Sequence, residues 1–232
     1  EHRWVCDEAR KFAERVLAPA VQELDERQEV NLPAIKELGQ LGFMGMTVPE
    51  EWGGNNLGAV CYAGAMIELS KVDAGTAVAV SVQNSLVNDT IVKWGTDAQK
   101  SDFLPNLANG DWIGCFSITE AGSGSDPGSL KATAVRDGEF FVLNGTKNWI
   151  TNGSSASVYI VIAQTDVAKG HKGINAFIVE KGMPGFTVGP KENKMGIRGS
   201  DTHSLMFTDV KVPKANRIGE DGFGFKFAMK TL

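Results

Sequence analysis

Residues 115–130 read CFSITEAGSGSDPGSL, a short alternating run followed by two carboxylates, Glu120 and Asp126, set among glycines and hydroxyls. Gly122 and Gly124 would each cost a helix interior about 1 kcal/mol relative to alanine, so the stretch reads as a loop. Such a loop at the end of a strand presents backbone N–H groups and hydroxyls, which suits a polar heteroaromatic ring or a pyrophosphate. The same composition also makes an ordinary surface turn. A Rossmann loop is excluded, because the glycines run Gly-x-Gly-x-x-x-Gly and no strand–helix–strand unit encloses them. A second stretch, KNWITNG at 147–153, sets Trp149 two residues from the hydroxyl of Thr151; on a regular strand both would face one side. A third, KENKMGIRGSDTHSLMF at 191–207, carries Arg198, Ser200, Asp201 and His203. Ser, His and Asp invite a hydrolase reading, but the glycines of a nucleophile elbow are missing and three sequence neighbours seldom converge on one point.

The elements that must position these residues change character along the chain. From Trp4 to Asn109 the apolar residues recur at helical spacing, as in Trp4, Val5, Phe12, Val16 and Leu17. Pro33 opens a short helix that Gly42 closes, and TDAQ at 96–99 spells a capping box. After Gly110 the period falls to two. Segments such as LKATAVRD, EFFVLNGTKNWIT, VYIVIAQT, INAFIVEK and SLMFTDVKV are rich in β-branched and aromatic residues and read as strands. Asp137-Gly138 and Asn144-Gly145 read as hairpin turns. The expected fold is α+β and multidomain: an all-α N-terminal domain over 1–111, an antiparallel β-barrel or sandwich over 112–218, and the first turns of a further helical domain over 219–232. The final GFGFKFAMKTL reads as a helix just begun, so a longer protein is expected.

Composition narrows the function classes. With 232 residues, 42% hydrophobic and 22% charged, the chain can bury a sizeable core. A net charge of −5 argues against a nucleic-acid platform or an anionic-membrane binder. Three scattered cysteines, Cys6, Cys61 and Cys115, suggest neither a zinc site nor a disulfide framework, and fit a reducing compartment. No apolar run reaches the roughly 18 residues of a membrane helix.

Taken together, SITEAGSGSD, KNWITNG, KMGIRGSDT, FTDVKVP and GFGFKFAM resemble, in order and approximate spacing, the motifs of the acyl-CoA dehydrogenase family, from about Trp4 to Leu232. The family usually has proline after the Thr-Glu pair; here it is Ala121. The resemblance implies FAD as cofactor and α,β-desaturation of acyl-CoA thioesters, with a carboxylate removing the α-proton and the β-hydrogen leaving as hydride to flavin N5. Carried over by motif, Phe116, Ile118, Thr119, Gly124 and Ser125 would line the flavin, together with Trp149, Ile150 and Thr151. Ser125 would also meet the pantetheine arm, and Lys169, His171 and Lys172 the nucleotide end of CoA. The catalytic Glu is expected beyond Leu232, so no carboxylate of this chain is nominated, and no metal is expected. The resemblance further implies an electron transfer flavoprotein as acceptor, a homotetramer when full length, and a bacterial cytoplasmic or mitochondrial matrix location. KENKMG leans towards short acyl chains. The competing readings are an acyl-CoA oxidase or flavin monooxygenase of the same fold, and a non-catalytic two-domain binding protein.

Overall fold

The structure is a computed structural model that describes residues 2–232. Its first half is helical: α1 (His2–Phe12), α2 (Val21–Arg27), α3 (Leu32–Gln40), α4 (Ala59–Ser70), α5 (Ala74–Ser81), α6 (Asp89–Trp94) and α7 (Asp97–Ala108). The start signals act as the sequence suggests. Asn31 caps α3 by accepting from Ala34 N at 3.2 Å, with Pro33 in the first turn, and Gly42 turns left-handed after it at φ 85°. Thr96 and Gln99 form the reciprocal capping box of α7.

Helices α5 and α6 are one continuous run joined by a π-helical segment, Val82–Asn88. Widened turns of this kind accompany functional or strained sites. Here the segment sends three amide side chains, Gln83, Asn84 and Asn88, fully inside. Asn84 accepts from Met46 N at 2.9 Å and donates to Phe43 O at 2.8 Å, while Asn88 donates to Met44 O at 2.8 Å. Gln83 reaches the other way, donating to Leu107 O at 2.8 Å and Trp112 O at 3.2 Å and accepting from Gly114 N at 2.6 Å. It therefore fixes where the first strand begins.

The second half holds β1 (Gly114–Ser117), β2 (Thr133–Asp137), β3 (Phe140–Thr151), β4 (Val158–Gln164), β5 (Ile174–Glu180), β6 (Phe186–Lys191), β7 (Thr202–Pro213) and β8 (Arg217–Ile218), followed by α8 (Gly224–Thr231). They form one eight-stranded sheet in the order β6-β7-β3-β2-β4-β5-β8, with β1 paired to β4. The α+β class stands, but the sheet is mixed rather than purely antiparallel and is not closed. β1 and β2 both run parallel to β4, and the path ends at β6 and β8. It curls strongly all the same: Phe141 of β3 meets Phe177 of β5 at 4.9 Å, and Tyr159 of β4 meets Phe186 of β6 at 4.7 Å between ring centroids.

β4 is the middle of this arrangement. Every one of its residues is buried, because both faces are covered. Tyr159, Val161 and Ala163 join the core shared with α1, α3, α4 and α5, whereas Val158, Ile160 and Ile162 join a second core with α6, α7 and α8.

Two turn expectations separate. Asp137-Gly138 makes the β2–β3 hairpin, with Gly138 at φ 56°. Asn144-Gly145 does not make a turn; it lies inside β3, opposite an extra residue in β7. That residue, Asp209, is left-handed at φ 52°, and its N–H donates to Asn144 Oδ1 at 2.9 Å. Gly145 is needed there for another reason: it sits at φ 140°, and a Cβ would lie 2.7 Å from the Cβ of Ala132.

Replacing Gln83 with Leu leaves Gly114 N–H and two carbonyls unpartnered in the interior. Destabilisation of about 2–4 kcal/mol is expected from the usual penalty per buried unsatisfied group. Urea unfolding checks it, and a loss below about 1 kcal/mol would mean that this amide does not hold β1.

Candidate functional site

β1 and β2 share one edge of β4. Ser117 stands beside Val161 and Thr133 beside Gln164, so only a short gap on β4 separates the point where the chain leaves the sheet from the point where it returns. Residues 118–132 are pushed out of that gap as a long loop, and Gln164 N closes it by donating to Ala132 O at 2.8 Å. The loop is knit internally. Glu120 and Ser123 exchange backbone bonds of 2.9 and 3.1 Å, and the hydroxyls of Ser123 and Ser129 both donate to Asp126 O, at 2.8 and 2.9 Å.

Its base rests on an ion pair. Lys147 Nζ has no exposed surface and donates to Glu120 Oε1 at 2.7 Å and to Ile118 O at 2.9 Å. The same carboxylate accepts Lys131 N at 2.7 Å and Ala132 N at 3.0 Å. Burial pushes the Glu120 carboxyl upward, but the Lys147 charge and the hydrogen bonds from Lys147, Lys131 and Ala132 outweigh it and hold the group below its ordinary range. Burial lowers the Lys147 ammonium, against the opposing pull of Glu120. Glu120 is thus a tether for the loop.

The stretch 147–153 departs from a regular strand. Alternation from Phe141 and Leu143 carries Lys147 inward and would carry Trp149 and Thr151 with it. Instead β3 holds an extra residue between Lys147 and Ile150. Trp149 is left-handed at φ 60° and 60% exposed, Ile150 takes the buried place, and Thr151 is half-buried. The same-side argument for Trp149 and Thr151 therefore fails, because period two does not pass through a left-handed residue. Asn148 N donates to Thr119 O at 2.9 Å, which ties this bulge to the loop. On the far side Asn152 is also left-handed, at φ 63°, and its Nδ2 donates to Gly114 O at 3.0 Å.

Asp201 holds that far side. Its carboxylate accepts Ser154 N at 3.0 Å and Ser155 N at 2.7 Å, and its other oxygen meets His203 Nε2 at 2.7 Å. His203 Nδ1 lies 2.8 Å from Gly189 O. Asp201 and His203 are therefore taken up in bracing a turn, which disposes of the hydrolase reading; Ser200 Oγ is part of neither contact.

Of the residues singled out in the sequence, Thr119, Gly124, Ser125, Trp149 and Thr151 lie on partly or fully open surface, with Thr119 and Trp149 joined through Asn148. Phe116 and Ile118 are buried in the second core, Phe116 edge-on to Phe227 at 6.3 Å, and Ile150 is also buried. Their side chains serve packing; what Ile118 turns towards the loop is its carbonyl. The 169–172 group splits. His171 stacks on Phe225 at 4.4 Å and lies so close to Gly128 that a Cβ there would meet its ring. Lys169 pairs with Asp166 at 3.4 Å and lines a separate groove of about 500 Å³ with Arg136, Lys214 and Arg217. Lys172 is exposed. Lys147 is the position sequence reasoning passed over, although an inward lysine in an otherwise apolar register was an available signal; Asp201, weighed in the sequence only for a hydrolase, serves instead as a brace.

The descriptions "Acyl-CoA dehydrogenase, N-terminal domain" and "Acyl-CoA dehydrogenase, middle domain" match residues 1–111 and 115–210. The chain belongs to the acyl-CoA dehydrogenase family. It is 45% identical, over its whole length, to the short-chain specific acyl-CoA dehydrogenase of Rattus norvegicus mitochondria, of which it covers 56%. It is 43% identical to the short-chain specific enzyme of Clostridium acetobutylicum, covering 61% of that protein. Among solved structures, butyryl-CoA dehydrogenase from Megasphaera elsdenii superposes with a TM-score of 0.97 at 43% identity, over 99% of this chain and 61% of that one. An acyl-CoA dehydrogenase from Bacillus anthracis, complexed with FAD, gives 0.91 at 36% identity, over all of this chain and 40% of that one. The chain thus spans little more than half the length of the curated family members it matches.

The Glu120 tether should show as a pH dependence. A carboxylate with a depressed folded-state pKa stabilises the fold fully above its unfolded value, near 4.5, and loses that contribution as pH falls through the folded value. The stability gap between the parent and Glu120→Gln is therefore expected to be constant from pH 7 to about 5.5 and to shrink as pH falls below 4.5. Denaturant melts across that range check it; a gap independent of pH would contradict an ionised Glu120.

Proposed function

We propose that this chain is the flavin- and thioester-holding part of an FAD-dependent dehydrogenase that introduces an α,β double bond into short acyl-CoA thioesters. The observation that carries the reading is the surroundings of Gly122 and Gly124. Among the described residues, a Cβ added at either meets nothing within 4 Å beyond its own chain neighbours, and neither has a positive φ. Nothing within the chain asks for glycine at these positions, whereas backbone that must lie close against a ligand does. The donor set fits a flavin: loop N–H groups, the Thr119, Ser125 and Thr151 hydroxyls, and the open indole of Trp149 as an apolar wall. The FAD-bound relative supports the same cofactor here.

Bound FAD supplies the hydride acceptor. The residues of this chain supply position and polarity around it. Trp149, held out from the sheet by its left-handed backbone, covers the ring and keeps water from it. Thr119 and Thr151 offer donors to its polar atoms, and donors fixed before reaction stabilise charge as it develops. Gly124 lets the backbone approach, and Ser125 stands where flavin and pantetheine adjoin. His171 beside Gly128, with the exposed Lys172 next to it, would face the nucleotide end of CoA, whereas Lys169, paired with Asp166 on a separate groove, would reach it only by leaving that partner. Neither Glu120 nor Glu68 is offered as the proton-abstracting carboxylate. Glu120 is engaged by Lys147 and two N–H groups, and Glu68 by Arg10 at 3.1 Å and Lys71 at 2.8 Å. An electron transfer flavoprotein as acceptor, a tetrameric full-length enzyme and a cytoplasmic or matrix location complete the reading; the named relatives are bacterial and mitochondrial.

One observation favours a second reading. The prolyl acyl carrier protein oxidase AnaB superposes with a TM-score of 0.95 at 31% identity, so the fold accommodates oxygen as acceptor. Anaerobic reduction of the full-length holoprotein with butyryl-CoA, followed by air, separates the two. Slow reoxidation is expected of a dehydrogenase; reoxidation as fast as turnover would make it an oxidase.

The site itself is tested by two variants of the full-length protein. Gly124→Val introduces bulk where only a ligand would meet it, so flavin should be lost on purification while apoprotein stability is kept or rises by about 0.4–1 kcal/mol. Ser125→Ala removes one hydrogen bond, about 0.5–1.5 kcal/mol, and should weaken acyl-CoA binding up to roughly tenfold with flavin retained. Full flavin content and unchanged acyl-CoA binding in Gly124→Val would return the loop to an ordinary surface turn.

A further inference from the structure

Lys147 and Glu120 hold both ends of the loop in the proposed flavin site and stand next to its bulge. Their side chains are 0% and 9% exposed. Through Nζ, Lys147 holds Ile118 O at the start of the loop, and through Glu120 it holds Lys131 N and Ala132 N at the end. The next residue, Asn148, donates to Thr119 O, and the one after that is the left-handed Trp149. One ionic contact therefore joins the backbone of Thr119, the return of the loop and the bulge that raises the indole. Apolar side chains of equal volume would pack in the same space, and replacing a buried ion pair that way is often neutral or stabilising. They would not accept two N–H groups from one end of the loop while donating to the carbonyl at the other.

We propose that Lys147 and Glu120 are positioning residues for FAD: the pair sets the separation between the Thr119–Ser125 backbone and the Trp149 wall, so that the shelf receives a flavin without rearranging. This rests on the reading of that shelf as the flavin site. Neither side chain touches the flavin in this account; each acts through the backbone it holds.

The test uses the full-length protein, stripped of flavin and titrated with FAD. Glu120→Gln is the primary variant, since it keeps side-chain volume and removes the charge and one acceptor. Its FAD dissociation constant is expected to rise at least tenfold, the visible absorption band of the bound flavin to shift, and the rise in melting temperature on adding FAD to shrink. Lys147→Met should do the same, and the double variant should bind FAD no more than about twofold worse than the weaker single, because the two act as a unit. A purely structural pair gives another pattern: apo and holo forms melt lower by the same amount, with the dissociation constant and the flavin band unchanged, and that result overturns the proposal. A parent protein that binds no FAD would instead sink the reading of the shelf itself. Should Lys147→Met yield no folded protein, Glu120→Gln alone decides on the same three measurements.

Discussion

A lysine without solvent contact must be met by opposite charge and by acceptors, or the fold carries an uncompensated ion in its interior. Lys147 is met by Glu120 and by the Ile118 carbonyl. Much of the local architecture follows. The loop has to leave β1 within reach of Nζ, and Glu120 has to come two residues later. The chain must then return with two consecutive N–H groups aimed at the same carboxylate. Glycines and serines suit such a path because it turns sharply and satisfies itself with short-range hydrogen bonds. The polar site grows outward from a buried contact that no ligand would reach.

The pair could not work on a frame that moved. β4 supplies the frame, with both faces buried and its second edge divided between β1 and β2. The helical half is tied to that edge by Gln83, whose amide spans the end of α7 and the start of β1. Asp201 and His203 brace the turn beyond Thr151 from the β7 side. Buried polar groups of this kind add little net stability when satisfied and cost heavily when they are not, so their value lies in fixing one arrangement.

Much of this was legible in the sequence and some was not, for identifiable reasons. The capping box at Thr96, the opening of α3 at Pro33 and the Asp137-Gly138 hairpin depend on local chemistry and emerged as read. β6 went unread because Gly189 and Pro190 break its pattern, and they stand where that strand carries an extra residue. Asn144-Gly145 misled because the demand for unusual backbone angles that marks a turn can equally mark a crossing opposite a bulge. Trp149 misled for a related reason: one extra residue reverses the parity of everything after it. The motif stretches identified the family. The supports beneath them, Lys147 and Asp201, depend on partners 27 and 47 residues away; the inward register of Lys147 hints at burial, but nothing local names either partner.

β4 and the loop beside it also differ in how they can open. The amides of β4 lie under a core on each face, along β5 on one edge and, apart from a short gap, along β1 and β2 on the other, so most of them reach solvent only when the whole molecule unfolds. The 118–132 loop is anchored at its neck by one ion pair, a few backbone bonds and the buried Ile118 and Leu130, while the stretch between them is largely open. It can detach while β4 stays closed, which makes opening of the loop a separate, lower-energy event than unfolding. The molecule thus has two thermodynamic clocks side by side, and a ligand held by the loop would slow one and leave the other nearly untouched.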